Sequence, residues 1–421
     1  MTIQLSLGLD VIRSYKRLAY TPWHALAEFV DNSTQSFFDN ADVLREAYER
    51  EGDGLSVDIV YDRQECTLRI TDNAMGMSVD EIERALCVGM PPQNPTGRSQ
   101  YGMGLKTAAC WYGDRWTIRT KKLGESVERT IEVDVEAVAA GDSNLRNSER
   151  TGRDPSQHYT VIEISDLHRK MQGRTLGKIR QFLSSMYRKD ISDGVLTLRW
   201  QGEILQWDDS DTRFAQAPDG SRYRRQFEFE VDGKRVYGWV GVLDRGSRSL
   251  AGFSILRAGR VIRGWPDSWR PESLYGQIQG SNDLVNQRLQ GEINLDQFPV
   301  SHTKDDILWF GDQEQDVEEK LAEACRDYRE IGRTRGKTDD DERGPSALEI
   351  QAAVDELQAE LSSAEMIDAI EIISVPPVEL VDAALRPLVG AAERVEPTFC
   401  AQVGEVQVLG YLVYDASPND P

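Results

Sequence analysis

The sequence predicts an α+β fold in which a layer of helices covers a mixed sheet, and three patterns lead to this prediction. Thr21-Pro22 indicates the start of a helix, because threonine is a good N-cap and proline is tolerated at the first helical position. Two runs of alternating β-branched residues, 55–62 and 66–72, are typical of a hairpin. Three further strands are predicted at 115–122, 128–138 and 158–167. This order favours an α+β sandwich.

The chain divides into five predicted segments: an α+β domain at 1–170, a second α+β domain at 171–311, an amphipathic helix at 312–335, a charged linker at 336–346 and a small acidic module at 347–421. The second domain opens with a basic helix at 175–189, followed by a run of strands of which the first is at 194–200. The amphipathic helix carries one apolar seam at Val317, Leu321, Ala324, Tyr328 and Ile331. Such a seam serves packing or dimerisation. The acidic module contains a helix around 350–361 and a pair of strands near its end.

Composition predicts a cytoplasmic protein. The 421 residues are 39% hydrophobic and 29% charged, which is typical of a water-soluble globular chain. No run approaches the roughly 18 apolar residues of a membrane helix, and the first residues lack the order of a signal peptide. Five cysteines and four histidines are dispersed without the spacing of a zinc site, so the cysteines are interpreted as reduced.

Charge is distributed unevenly within the net −22. Residues 338–421 carry 18 Asp and Glu against three Arg, and this acidic region is a candidate for docking a basic protein partner. Segment 167–189 carries seven Lys or Arg and no acid. Because salt screens charges beyond roughly 8 Å, this segment would act locally despite the acidic tail. Two interpretations stay open for it, a solvated helix face and a contact with DNA phosphates.

Glu28, Asp31 and Asn32 form a polar patch on the first predicted helix. At 100° per residue they fall within an arc of about 100°, whereas Leu26, Phe29 and Val30 lie mostly on the other side. Burying three such groups without partners would cost several kcal/mol, about 2–7 for each polar group. We therefore expect this face to meet a ligand.

Other motifs follow in order along the chain. Asp72-Asn73-Ala74-Met75-Gly76-Met77 ends a strand, Gly102-Met103-Gly104-Leu105-Lys106 opens a helix, and Thr160 lies in a later strand. Each motif alone is weak evidence, since DN pairs are common in turns and GxG is common everywhere. Together, and in this order, they resemble the GHKL ATPases, which include gyrase B, MutL proteins, the ninety-kilodalton heat-shock chaperone and histidine kinases. The resemblance covers roughly residues 10 to 310, and the acidic-DNS helix motif is most similar to that of microrchidia (MORC) ATPases.

The resemblance implies a Bergerat-type ATP-binding α/β sandwich and a role for each motif. Glu28 would be the general base that activates water, and Asn32 would be the protein ligand of Mg²⁺. Asp72, assisted by Thr160, would accept the adenine amino group. The implied ATP-binding residues are Asp31, Asn32, Asp72, Gly76, Met77, Gly102, Met103, Gly104, Leu105, Lys106 and Thr160. Lys106 and the dipole of its helix would favour the phosphates.

Two positions depart from the family pattern. Ala74 stands where the family usually has glycine, and Tyr159-Thr160 replaces the usual Gly-Thr pair. In the second domain, "RAGRVIRG" followed by "FPVSHTKDD" resembles the transducer domain of gyrase B, MutL and MORC proteins. The resemblance implies that a loop lysine, here Lys304, contacts the γ-phosphate and completes the catalytic site.

The leading expectation is a MORC-like ATP hydrolase, with ATP binding driving homodimerisation and closing a lid at 89–101. Related prokaryotic proteins suggest an action on DNA or in antiviral defence, with segment 167–189 as the DNA contact. The alternative is an ATP-controlled assembly module with little turnover that docks a protein partner through 338–421. A membrane partner is not expected.

Overall fold

The computed structural model describes residues 9–87, 97–98, 102–208, 211–276, 284–334, 399–403 and 406–410. Three predicted features lie wholly or mostly outside these residues. They are the lid at 89–101 apart from Gly97 and Arg98, the charged linker at 336–346, and the helix around 350–361. They stay predictions.

An eight-stranded mixed sheet forms the first half of the fold, in the order β5-β4-β3-β6-β2-β1-β7-β8. Its strands are β1 (Leu55–Asp62), β2 (Thr67–Asp72), β3 (Gly113–Lys121), β4 (Val127–Asp134), β5 (Arg146–Thr151), β6 (Tyr159–Leu167), β7 (Leu196–Trp200) and β8 (Glu203–Ile204). β1 and β2 pair as the predicted antiparallel hairpin. The α+β fold class predicted from the sequence is confirmed.

Helices accompany this sheet between its strands. They are α1 (Pro22–Asp39), α2 (Ala41–Glu51), α3 (Val79–Leu86), α4 (Gly104–Tyr112), α5 (Val135–Ala139), α6 (Arg174–Met186) and α7 (Arg188–Ser192), with 3-10 helices at Leu9–Arg17 and Asp211–Arg213. α1 packs against β1 and α4. The Thr21 side chain caps α1 by accepting the His24 N–H, with Pro22 at the first helical position, as the sequence predicted.

A five-stranded sheet follows, in the order β12-β11-β13-β10-β9. Its strands are β9 (Arg224–Val231), β10 (Lys234–Val242), β11 (Gly252–Arg257), β12 (Arg260–Arg263) and β13 (Leu289–Asn294), and its helices are α8 (Glu272–Tyr275), α9 (Leu284–Arg288), α10 (Gln313–Ala324) and α11 (Arg326–Thr334). Val317, Leu321 and Tyr328 belong to its buried core, and Ala324 and Ile331 pack against that core. The predicted seam therefore serves packing within the chain.

Three sequence predictions need correction. The sequence places the strand at 194–200 in the second domain, but β7 pairs in parallel with β1 and extends the first sheet, because apolar alternation does not say which edge a strand joins. The predicted strand 128–138 ends at Asp134, whose carboxylate accepts the backbone N–H groups of Glu136 and Ala137 and starts α5. The helix with the apolar seam is interrupted at Cys325. α2 and β5 were missed.

The basic helix predicted at 175–189 is two helices, α6 and α7. Arg188, at the start of α7, is buried and ion-paired with Glu292 of β13, so it is not part of a solvated basic face. Arg169 stays exposed, with its guanidinium 4.4 Å from the centre of the Trp111 ring. The basic surface within 167–189 is therefore smaller than its composition indicates.

The described part of the acidic module is an antiparallel pair, β14 (Phe399–Val403) and β15 (Val406–Gly410). The predicted pair of strands near the end of the chain is confirmed. Among the described residues, the helices are all too short or too polar to cross a membrane.

Candidate functional site

The polar patch of α1 is buried in the folded protein. Glu28 is 2% exposed and Asp31 is fully buried, whereas Asn32 is half-buried. Buried carboxylates need compensating charge, because an isolated ion loses several kcal/mol of hydration in the interior. Their partners come from β12, from the loop after β13 and from Tyr187 between α6 and α7.

Lys304 brings the second sheet to this patch. Its Nζ donates to Glu28 Oε2 at 2.8 Å and to Asp31 Oδ2 at 2.8 Å, and the lysine side chain is 6% exposed. The backbone at Lys304 has a φ of 52°, in the left-handed region that a non-glycine residue seldom adopts. The loop after β13 therefore holds this lysine against α1 at some cost in backbone strain.

Asp31 has two further partners. Tyr187, between α6 and α7, donates its hydroxyl to Asp31 Oδ1 at 2.8 Å, and Arg260 Nη1 of β12 lies 3.1 Å from Asp31 Oδ2. Burial alone would raise the pKa of Asp31, but Arg260 and Lys304 hold that pKa below its usual value. Asp31 is therefore an ionised carboxylate at the junction of α1, α7 and the second sheet.

Three buried side-chain atoms of α1 lack a hydrogen-bond partner among the described residues, namely Trp23 Nε1, Glu28 Oε1 and Asn32 Nδ2, and the last two belong to the polar patch. Among the described residues, none makes a hydrogen bond with Glu28 Oε1 or with Asn32 Nδ2. The amide nitrogen of Asn32, which is a hydrogen-bond donor, and one carboxylate oxygen of Glu28 are thus available to a ligand. An amide oxygen is a hard ligand of the kind that Mg²⁺ prefers, and Mg²⁺ commonly takes one or two protein groups plus phosphates. The amide oxygen of Asn32 fits such an ion by its chemistry, whereas the unpartnered amide nitrogen can only donate a hydrogen bond.

Asp72 ends β2 beside Thr160 of β6, its direct partner in the strand register. Its Oδ2 accepts the Ser33 hydroxyl at 2.8 Å, and its Oδ1 accepts the Ala74 N–H at 2.9 Å. Burial raises the pKa of Asp72 to about 6. A carboxylate has about four acceptor positions, so Asp72 retains capacity for one more donor.

Thr160 is joined to a second threonine on the adjacent strand. Its hydroxyl lies 3.1 Å from the hydroxyl of Thr120, which also accepts the Met77 N–H at 3.0 Å. This contact ties the DNAMGM turn to β3 and β6. The predicted residues Asp72, Met77 and Thr160 thus lie together.

The predicted glycines have local reasons for being glycine. A Cβ on Gly76, whose φ is 70°, would lie 2.1 Å from the Lys121 carbonyl oxygen. Gly102 has a φ of 62°. A Cβ on Gly104 would lie 2.0 Å from Glu28 Oε2, so α4 begins directly against the predicted base. Gly76 therefore serves the approach of two chain segments, and Gly104 serves the site itself.

Lys106 is buried and faces the backbone. Its Nζ donates to the carbonyls of Ala85 at 2.6 Å and Gly102 at 2.7 Å, and burial lowers its pKa to about 8. These bonds connect α3 to the start of α4. Met103 and Leu105 flank Gly104 and are half-buried. A phosphate contact by Lys106 stays a prediction, because two of its three N–H donors already have protein acceptors.

Gly97 and Arg98 link the first half of the fold to the second. Arg98 makes a two-fold ion pair with Asp190 of α7, at 2.5 and 3.0 Å, and its Nε donates to the Ala258 carbonyl. The Arg98 N–H donates to Gln35 Oε1 of α1 at 2.7 Å. Arg257 Nη1 donates to the Gly97 carbonyl at 3.1 Å. α1, α7 and the β11–β12 hairpin therefore meet at these two residues.

Sequence reasoning missed four residues of this region: Ser33, Thr120, Tyr187 and Arg260. Ser33 had a usable signal, since it follows Asn32 on the patch-bearing helix. The other three come from distant elements, and only strand register or the packing of α7 and β12 against α1 brings them to the site.

The eight-stranded mixed sheet and its packed helices are consistent with an ATP-binding α/β sandwich. Residues 20–162 match the family model described as histidine kinase-, DNA gyrase B-, and HSP90-like ATPase. This match supports the GHKL superfamily, whose members bind ATP, generally hydrolyse it, typically with Mg²⁺, and commonly dimerise. A search of curated proteins gave no match. The microrchidia type remains a prediction.

Proposed function

We propose that this chain is a Mg²⁺-dependent ATP hydrolase of the microrchidia type. The observation that carries the proposal is the contact of Lys304 Nζ with both Glu28 and Asp31, at 2.8 Å each. This contact brings a cation from the loop after β13 to the acids of α1. The γ-phosphate and the water that attacks it would bind at the same place. One site would thereby depend on both sheets.

Glu28 is the proposed general base. Its Oε1 has no hydrogen-bond partner among the described residues, so one oxygen is available to hold a water molecule. Glu28 would take a proton from that water as the oxygen attacks the γ-phosphorus, releasing ADP and phosphate. General-base catalysis of this kind contributes about 10²–10⁴-fold.

Other side chains would orient the nucleotide. Asn32 would bind the magnesium ion, which when present neutralises phosphate charge. Asp72 would accept the adenine amino group while Ser33 and Ala74 hold its carboxylate in place. Lys304 would exchange its carboxylate partners for the γ-phosphate. This exchange links the nucleotide state to the contact between the sheets, and we propose that it governs homodimerisation.

The test compares the wild-type protein with Glu28→Ala. Calorimetry with Mg²⁺ should detect ATP binding in both proteins, and only the wild type should release phosphate. Glu46→Gln, on the exposed face of α2, is the control and should hydrolyse normally. Phosphate release by Glu28→Ala at the wild-type rate would remove Glu28 from this role.

The alternative function, an ATP-controlled assembly module, has its own outcome in the same experiment. A wild-type protein that binds ATP, changes its oligomeric state in light scattering and releases no phosphate would favour it. An action on DNA or in defence rests on the family resemblance alone. Retention of DNA at low salt, with and without ATP, tests it.

A further inference from the structure

Arg260, the first residue of β12, is a deeply buried cation beside Asp31. It is 1% exposed, and its Nη1 lies 3.1 Å from Asp31 Oδ2. The same oxygen accepts Lys304 Nζ at 2.8 Å. A guanidinium and an ammonium therefore share one carboxylate oxygen, and Lys304 connects both to Glu28.

The guanidinium of Arg260 has hydrogen-bond donors without an acceptor among the described residues. Its Nε, Nη1 and Nη2 are all buried, and none of them makes a geometrically acceptable hydrogen bond with a residue that the structure describes. Arginine has five N–H donors, and a buried charged group without acceptors is strongly destabilising. This arrangement points to an acceptor other than the described residues.

Arg98 shows that burial by itself does not cause this deficit. It is 4% exposed, yet its side chain donates to both oxygens of Asp190 and to the Ala258 carbonyl. Arg260 is at least as buried, and its one close acceptor in the part of the chain that the structure describes is Asp31 Oδ2. The difference lies in position, because Arg260 adjoins Asp31, Lys304 and, through Lys304, the predicted base.

The site contains two cations, and each could change from a carboxylate partner to a phosphate. Glu28 and Asp31 are offset by Lys304 and Arg260, so this group of four is neutral as it stands. When Lys304 turns to the γ-phosphate, as the proposed function requires, Arg260 is the cation that remains beside Asp31. A planar guanidinium can bridge a carboxylate and a phosphate, since its donors point in several directions.

We propose that Arg260 is a second cationic ligand of the terminal phosphate of ATP, acting beside Lys304 and making no contact with ADP. The inference rests on the proposed function and extends it to nucleotide discrimination. The competing interpretation is that Arg260 only balances Asp31 and that ordered water takes its free donors.

The test measures discrimination between nucleotides rather than turnover. Dissociation constants for ADP and for a non-hydrolysable imido analogue of ATP, each with Mg²⁺, are determined by calorimetry for wild type, Arg260→Gln and Arg260→Lys. We expect Arg260→Gln to reduce the preference for the analogue by about tenfold or more while ADP affinity changes little. Arg260→Lys keeps the positive charge but loses the planar array of N–H donors, so we expect its preference for the analogue over ADP to lie between those of wild type and Arg260→Gln.

Arg188→Gln is the matched control, because Arg188 is also buried and ion-paired with one acid, Glu292, outside the site. It should leave the preference unchanged. Equal weakening of both nucleotides by Arg260→Gln, or an unchanged preference, would show that Arg260 acts only on Asp31. A wild-type protein that binds neither nucleotide would instead refute the proposed function.

A measurement on the wild-type protein covers the case in which both Arg260 variants fail to fold. With arginine labelled with ¹⁵N, hydrogen exchange at one buried Nε–H should slow with the analogue and not with ADP. If no arginine signal distinguishes the two nucleotides, the proposal is wrong.

Discussion

Lys304 Nζ lies 2.8 Å from Glu28 Oε2, although 276 positions separate the two residues in the chain. Removing one partner of a buried ion pair leaves the other uncompensated, which costs roughly 3–5 kcal/mol. We expect Lys304→Met to lower the free energy of unfolding of the nucleotide-free protein by about 3 kcal/mol, because Arg260 still serves Asp31. Urea denaturation measures this change.

A double variant isolates the contact. Lys304→Met combined with Glu28→Gln should be less destabilised than the sum of the single variants, by about 0.5–3 kcal/mol. Lys122→Met is the control, since Lys122 pairs with Glu81 at 2.7 Å on a partly exposed surface. It should cost under about 1 kcal/mol. Strict additivity of Lys304→Met and Glu28→Gln would contradict the contact.

Gly104→Ala should impair hydrolysis more than folding. The added Cβ would lie 2.0 Å from Glu28 Oε2, and the end of a side chain moves more easily than the backbone of α4. We expect a fall in the hydrolysis rate of about tenfold or more with Tm changed by a few degrees, on the order of 1 kcal/mol. Gly332→Ala is the control, because Gly332 lies in α11 and a Cβ added there would meet nothing within 4 Å. A normal rate in Gly104→Ala would separate Glu28 from catalysis.

Asp72 should make stability depend on pH. Its pKa is raised to about 6 by burial, from an ordinary value of 3.8. Between these values the folded protein holds a proton that the unfolded chain has lost, so stability falls as pH rises through this window. Relative to Asp72→Asn, wild type should lose about 3 kcal/mol between pH 4 and 7. Parallel pH profiles of unfolding free energy for the two proteins would refute this.

Nucleotide binding should show the opposite dependence on pH. An ionised Asp72 can accept the adenine amino group, whereas a protonated carboxyl loses an acceptor position and gains a donor. The affinities for ATP and ADP should therefore both weaken below about pH 6, since the two nucleotides share adenine. Calorimetry across pH 5–8 measures this. Affinities that are constant over that range would argue against adenine recognition by Asp72.

The ion pair between Arg98 and Asp190 should be stronger than an exposed one. Both side chains are under 10% exposed, so Asp190→Asn should destabilise the protein by roughly 3–5 kcal/mol. The exposed pair of Arg69 and Glu163 is the control, and Glu163→Gln should cost under about 1 kcal/mol. Equal effects of the two substitutions on thermal unfolding would show that the junction at Arg98 contributes little.

Local patterns in the sequence were sufficient for the elements that bear the site. Thr21-Pro22 specified the start of α1, alternation specified the β1–β2 hairpin, and the 100° spacing placed Glu28, Asp31 and Asn32 on one face. These properties depend on residues that are neighbours in the sequence, so they can be predicted from the sequence alone. The strand that became β7 shows the limit, because its alternation is the same at the edge of either sheet.

The sequence by itself determined that Glu28, Asp31 and Asn32 share one face of α1, because a helix period depends on residues a few positions apart. Only the tertiary structure decided which groups balance the buried acids of α1, namely Lys304, Arg260 and Tyr187. The tertiary structure also placed Ser33 and Thr160 beside Asp72. A buried charge takes its partner from whichever element packs against it, and that choice depends on the folding of the whole chain.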